Sequence, residues 1–286
     1  MALFYNQATL THGGGTTVSN TTVGELLAGV TLDKTALSTD YTRYDSLCYL
    51  VTLTNTGTTA YNGLTLTDTL GAFTPEGGTT AVVPLSSITG SLLYYIDGVA
   101  AASPTVTVGT DLTVSGINVP AGSAATLIYE VRVNEYAPLA TGSTIINRAS
   151  VTGAQITEPT ADTSTVPVRA STDLTIAKAL CPPTVAPDGT LSYTFIVQNT
   201  GNLPVDATDD LVVSDTFNPI LTGITVTLNG TALVAGTDYT YNTATGAFST
   251  VAGAVSVPAA TYTTDPATGV VSVIPGVTIL TVLGTV

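Results

Sequence analysis

Apolar and polar residues alternate with period two along most of the chain, the pattern of strands with one buried face. In LCYLVTLTNTG (47–57), Leu47, Tyr49, Val51 and Leu53 share one face, and TLSYTFIVQNTG (190–201) repeats the arrangement with Leu191, Tyr193, Phe195 and Val197. Both segments end in Asn-Thr-Gly. A second pair follows: GLTLTDTLG (63–71) aligns Leu64, Leu66, Asp68 and Leu70, as DLVVSDTFN (210–218) aligns Leu211, Val213, Asp215 and Phe217. Asp97-Gly98 within LYYIDGVAA and Asn229-Gly230 within TVTLNGTAL predict tight hairpins, because glycine accepts the positive φ that such turns demand. Helix signals are nearly absent, so the pattern predicts an all-β chain.

The paired segments are two copies of one unit, about 144 residues apart, a spacing far above solenoid periods that marks tandem β-sandwich domains. PAGSAATLIYEVRV (120–133) corresponds to IPGVTILTVLGTV (274–286), so the second copy stops where the first reaches Val133. The first copy continues through NEYAPLATGSTIINRASVTG to a strand ending near Val168. The counterpart of that continuation lies at the start of the chain, where Asn6-Gln7-Ala8-Thr9-Leu10 matches Asn147-Arg148-Ala149-Ser150-Val151, with a glycine-bearing turn and a Thr-rich strand following each. Phe4, Asn6, Ala8 and Leu10 share a face and correspond to Ile145, Asn147, Ala149 and Val151. The expected organisation is therefore an N-terminal donor-strand arm and linker (1–25), a first β-sandwich (26–170) and a second (171–286) lacking its closing strands. A sandwich with an open edge invites pairing. Domains of ten-residue strands are about 30–35 Å long, so closure of the arm onto its own second domain needs a long detour. The expectation is completion of the second domain by the N-terminal strand of a neighbouring subunit, a heterologous head-to-tail contact that grows into a filament. The plainer alternative is a disordered leader before residue 26 and a fragment ending at Val286.

Composition narrows the partners. The 286 residues include only six Lys or Arg and carry a formal net charge of −14. Neither phosphate neutralisation nor attraction to anionic lipid is available to such a surface, so nucleic acid and membrane insertion are excluded as expectations. The mean hydropathy of +0.42 is spread over alternating strands, with no run of apolar residues long enough to span a bilayer. The first residues lack the basic start, apolar core and cleavage site of a signal peptide. Two cysteines, Cys48 and Cys181, are too few for a disulfide scaffold and, with one histidine, too few for structural zinc. They either remain free or pair between subunits.

Candidate enzyme motifs fail in context. His12-Gly13-Gly14-Gly15 lacks the nucleophile elbow that an oxyanion loop needs and reads as a bend between donor strand and linker. Asp206, Asp209 and Asp210 lack calcium-loop spacing and read as a solvated loop. No nucleophile–base pair stands out, so neither an enzyme nor a cofactor or metal is expected.

LTIAKAL, DGTLSYTFIVQNTGN, LVVSDTF and INRASVTG resemble the tandem repeat domain of large bacterial and archaeal surface proteins known as domain of unknown function eleven. The resemblance covers roughly 30–168 and 173–286. It implies Ig-like β-sandwiches in an extracellular, adhesin-like or fibre-forming protein, and it carries no catalytic site. Alternation adds chemistry of its own: Lys34, Asp68 and Asn147 all point inward in the first domain. Lys178 and Asp215 do so in the second, with Asn6 of the arm as the matching amide. Such trios resemble the spontaneous isopeptide cross-links of Gram-positive pilins and adhesins. Burial would leave the lysine amine nucleophilic while a protonated carboxyl polarises the amide. An ordinary Lys–Asp ion pair at the core edge is the alternative. The sequence thus predicts a structural, self-polymerising subunit of a cell- or spore-surface filament, its own partner, with any surface ligand unspecified. The competing class is a monomeric adhesin-like binding module.

Overall fold

The computed structural model describes residues 2–26, 29–156 and 159–286. The chain divides into two compact units, one comprising residues up to Thr74, Thr80–Ala137 and Thr144–Pro167, the other Pro75–Thr79, Pro138–Ser143 and Val168–Val286. The second unit thus holds the chain continuously from Val168 and includes two short loops from earlier in the sequence.

The N-terminal stretch is not one strand followed by a linker. It is a long two-stranded hairpin: β1 (Ala2–Asn6) pairs antiparallel with β4 (Thr22–Leu26), and β2 (Thr9–His12) with β3 (Gly15–Val18). The glycines after His12 form its tip, where the Gly14 N–H donates to His12 Nδ1 at 3.1 Å. Near Ser19 the register slips by one. There the Ala8 N–H donates to Ser19 Oγ at 2.9 Å and the Ser19 N–H donates to the Ala8 carbonyl at 2.8 Å. From Phe4 to Val23 nearly every side chain is exposed.

In the rest of the first unit, two sheets face each other. One contains β5 (Val30–Ala36), β6 (Ser46–Asn55), β8 (Leu85–Ser87), β9 (Leu93–Ile96), β10 (Val99–Ala100) and β13 (Ala124–Val133), in the order β10-β9-β13-β6-β5 with β8 beside β13. The other contains β7 (Tyr61–Asp68), β11 (Thr105–Val108), β12 (Leu112–Val119), β14 (Thr144–Thr152) and β15 (Thr160–Pro167), in the order β11-β12-β7-β14-β15. The alternating rows form the core. Leu47, Tyr49, Val51 and Leu53 are buried, as are Leu64, Leu66, Asp68 and Leu70. Tyr49 stacks on Tyr129 with ring centroids 5.9 Å apart.

The second unit builds one sheet from β16 (Leu174–Cys181), β17 (Thr190–Asn199), β19 (Thr222–Leu228), β20 (Thr231–Ala232) and β25 (Gly276–Thr285), in the order β16-β17-β25-β19-β20. A second sheet contains β18 (Ser214–Thr216), β21 (Tyr239–Tyr241) and β22 (Ala247–Thr250), and β23 (Thr261–Thr264) forms a separate hairpin with β24 (Val271–Ile274). Its core joins Leu191, Tyr193, Phe195 and Val197 with Phe217, Phe248 and Leu280.

Both predicted hairpin turns form. Asp97 (φ 50°) with Gly98 (φ 78°) and Asn229 (φ 49°) with Gly230 (φ 82°) lie in the left-handed region. The Asn-Thr-Gly repeats also acquire a role that alternation does not reveal. Asn55 donates through Nδ2 to the carbonyls of Thr59, Val119 and Pro120 while its Oδ1 accepts the Gly57 N–H. Asn199 bonds in the same way to Leu203, Pro258 and Gly201. Each asparagine satisfies the backbone of a strand end that would otherwise be buried unpaired.

Candidate assembly and cross-linking site

The site grows from one strand position occupied twice. In the first unit β5 follows its alternation, so Val30, Leu32 and Lys34 turn inward and are buried. Their cover comes from the hairpin β14–β15, which pairs Asn147 with Ser164 and Ala149 with Asp162. The N–H groups of Lys34 and Ala36 point away from β6, and side chains of β15 receive them. Lys34 N–H donates to Asp162 Oδ2 at 2.8 Å and Ala36 N–H to Ser164 Oγ at 2.9 Å. Thr160 Oγ1 donates to the Val30 carbonyl at 3.2 Å.

Lys34 Nζ meets Asp68 Oδ2 at 2.5 Å with both side chains wholly buried. Tyr129 donates its hydroxyl to the same carboxylate oxygen, and Asp68 Oδ1 accepts the Leu70 N–H at 2.8 Å. The ammonium also lies 4.7 Å from the centre of the Tyr49 ring. Burial pushes the Lys34 pKa down, with Asp68 and then Asp162 opposing. Burial also raises Tyr129 and Tyr49, with the Asp68 charge adding to both.

Asn147 belongs to this cluster. Its Oδ1 accepts the Gly71 N–H at 3.0 Å. Its Nδ2 is buried without a hydrogen bond of good geometry, as is the Tyr49 hydroxyl, although the amide lies near enough to that hydroxyl to offset part of its pKa rise. Lys34, Asp68 and Asn147 are thus all buried in the first unit, Lys34 directly against Asp68 and over the Tyr49 ring, and Asn147 beside the Tyr49 hydroxyl.

In the second unit the strand is the same and its surroundings differ. The register Lys178 opposite Phe195 reproduces Lys34 opposite Val51. Yet all eight residues of β16 are exposed, with Ile176 at 60% against 8% for the equivalent Leu32. Lys178 Nζ contacts Asp215 Oδ2 over an aromatic floor, 4.3 Å from the Tyr193 ring centre and 5.7 Å from that of Phe217. Lys178 and Asp215 therefore come together as the alternation predicts, but without an amide partner. Lys178 thus points at the aromatic core residues of the second unit, with its side chain 41% exposed, and among the described residues of that unit no hairpin lies over β16.

Asn6 sits on the arm opposite Thr22. Phe4 is 56% and Leu10 64% exposed, so the row Phe4, Asn6, Ala8, Leu10 is an apolar face without a core beneath it. Gly24 lies under the Phe4 ring, where any Cβ would collide with it at 2.2 Å.

Cys48 and Cys181 are free thiols, the first half-buried, the second exposed at the end of β16. Burial and then the neighbouring Glu130 push the Cys48 thiol up. The acids Asp206 and Asp209 form a reciprocal cap on a short 3-10 helix, which accounts for their clustering without a cation. Among the described residues no group of three His, Cys, Asp or Glu side chains is placed to hold a metal, and no helix is long and apolar enough to cross a membrane.

No family model matches the sequence, and no curated protein matches it. Among solved structures, the major pilin subunit BcpA of Bacillus cereus is 15% identical, over 96% of this chain and 73% of its own, with a TM-score of 0.36. The major pilin SpaD of Corynebacterium diphtheriae is 13% identical, over 87% of this chain and 49% of its own, at a TM-score of 0.36. The collagen-binding domain from a Staphylococcus aureus adhesin is 8% identical, over 49% of this chain and 99% of its own, at 0.30. The chain spans about half the length of SpaD.

Proposed function

We propose that this chain is a structural subunit of a surface filament, polymerised head to tail by passing the N-terminal arm of one copy onto the open second unit of the next. The observation that carries this reading is the contrast between β5 and β16. These strands repeat each other in sequence and register, yet among the described residues only β5 is covered, by β14–β15, and the stretch that repeats β14–β15 stands at residues 2–26 as a hairpin that is exposed from Phe4 to Val23. Burying Phe4, Ala8 and Leu10 on Leu174, Ile176 and Leu180 removes apolar surface from water on both partners. The role is one of assembly, without turnover.

The burial of Lys34, Asp68 and Asn147 together supports a finer reading, a covalent cross-link. In the first unit, the Lys34 amine attacks the Asn147 side-chain carbonyl carbon. The new C–N amide bond forms as the bond to Nδ2 breaks, protons pass from the amine through the Asp68 carboxyl to the leaving nitrogen, and ammonia departs. In the second unit Lys178 takes the part of Lys34, Asp215 that of Asp68, and Asn6 of the neighbouring subunit supplies the amide, joining the copies covalently.

Electron microscopy of the purified chain tests the assembly. Ordered polymers are expected, and their loss on deletion of residues 2–12. Polymers that persist without those residues would overturn arm donation. Intact mass tests the chemistry, since each linkage lowers the mass by one ammonia. Full mass, with polymers that boiling detergent returns to single chains, leaves assembly non-covalent.

A further inference from the structure

We infer that the arm is donated as a preformed two-stranded hairpin, and that its second strand seals the outer edge of β16 with side-chain hydroxyls and amides rather than with a backbone ladder. This rests on the arm exchange proposed above and specifies which surface of the neighbouring copy is recognised and by what.

The first unit provides the pattern. The outer edge of β5 is closed by Asp162 and Ser164 of β15, which accept the Lys34 and Ala36 N–H groups through their side chains. The strand carrying Asn147 does not make those bonds. It lies one strand further in, between β7 and β15. A single donated strand placed where β14 lies would therefore supply Asn6 but leave the edge of β16 open.

In β16 the equivalent N–H groups belong to Lys178 and Leu180, since the pairing of β16 with β17 copies that of β5 with β6. They face away from β17. An edge of this kind, with Ile176 and Leu180 exposed beside it, is a liability in a soluble protein unless it is covered.

The arm carries the cover. Its second strand pairs Thr22 with Asn6 as β15 pairs Ser164 with Asn147. The residues abreast of Asp162 and Ser164 fall in the run Ser19-Asn20-Thr21-Thr22, in which every side chain offers an oxygen acceptor. The hairpin is already closed in the free arm, where Gln7 Nε2 donates to the Ser19 carbonyl at 2.7 Å and Thr22 Oγ1 to the Asn6 carbonyl at 3.1 Å. Docking a formed hairpin avoids most of the ordering cost that a flexible strand pays on binding. The arm replaces the acidic Asp162 by uncharged residues, so Lys178 would meet one carboxylate, Asp215, where Lys34 meets Asp68 and Asp162.

Hydrogen–deuterium exchange on the full-length chain, monomeric and polymeric, tests this together with the variant N20A/T21A. Both residues are exposed and the variant keeps the Ser19 and Thr22 side-chain bonds that close the hairpin, so it should melt like wild type. The amides of Lys178 and Leu180 are expected to exchange at least about tenfold more slowly in the polymer. The variant is expected to need about tenfold more protein to assemble, the effect of losing two hydrogen bonds of ordinary strength. Wild-type polymers whose Lys178 and Leu180 amides exchange as fast as in the monomer, or a variant that assembles at the wild-type concentration, overturn this inference and leave arm donation standing. If no polymer forms under any condition, arm donation and this inference fall together.

Discussion

Lys34 and Lys178 show how little of a residue's chemistry lies in its own strand. Each ends an alternating row and each meets an aspartate, yet Lys34 is wholly buried and Lys178 is 41% exposed. The difference lies in the hairpin above. A buried lysine is tolerated only with its partner, so Asp68→Ala should destabilise the first unit by about 3–5 kcal/mol, read by chemical denaturation. The equivalent Asp215→Ala should cost less than about 1 kcal/mol in the monomer, because water screens that pair. Titration carries opposite signs in this cluster. The folded state holds Lys34 below its ordinary 10.5, so the unfolded chain binds the extra proton and Lys34 favours folding increasingly as pH rises toward that value. Tyr41, Tyr49 and Tyr129 are held above their ordinary 10.0. Their stabilisation is complete below that pH and is lost as pH climbs toward the folded values. Three tyrosines oppose one lysine, so the denaturation midpoint should fall steeply above about pH 10. Phe substitution of Tyr41 should flatten that fall, since its ring keeps the packing and loses the proton.

At the scale of the element, β5 and β16 are one sequence pattern in two environments. Leu32→Asp places a charge in a core and should unfold the first unit, a loss of more than about 4 kcal/mol by denaturation. Ile176→Asp at the equivalent position of β16 should change monomer stability by less than about 0.5 kcal/mol and, on the proposed assembly, abolish polymers in sedimentation. The strands and both turns were legible because period-two alternation and Asn/Asp-Gly pairs are local signals. The second strand of the arm was legible only as a Thr-rich stretch after a glycine turn: Thr16–Glu25 carries two isolated valines, Val18 and Val23, so it shows no apolar row, and its pairing with residues 2–12 emerges only in the fold. The Asn55 and Asn199 clamps were visible as a repeated Asn-Thr-Gly, but their carbonyl partners at 119–120 and 258 lie far along the chain.

At the scale of the whole molecule, the proposed assembly would be governed at first encounter by charge. A net charge of −14 makes like subunits repel, and salt screens that repulsion over a Debye length of about 8–10 Å near physiological ionic strength. Light scattering should therefore show assembly accelerating as salt rises from about 10 to 150 mM, with wild type and the arm-deleted chain diverging more as it does. The sequence by itself determined the all-β class, the tandem repeat, the inward rows and the identity of Lys34, Asp68 and Asn147 as buried polar residues, because alternation within a strand assigns a face without reference to anything distant. Only the tertiary structure decided what each face meets. It set Lys34 and Tyr129 against Asp68, placed the Asn147 amide beside the Tyr49 hydroxyl, and gave β5 a cover that β16 lacks among the described residues. It also folded the arm back on itself. Those outcomes depend on contacts between residues up to about 130 positions apart, and no local pattern encodes a distance.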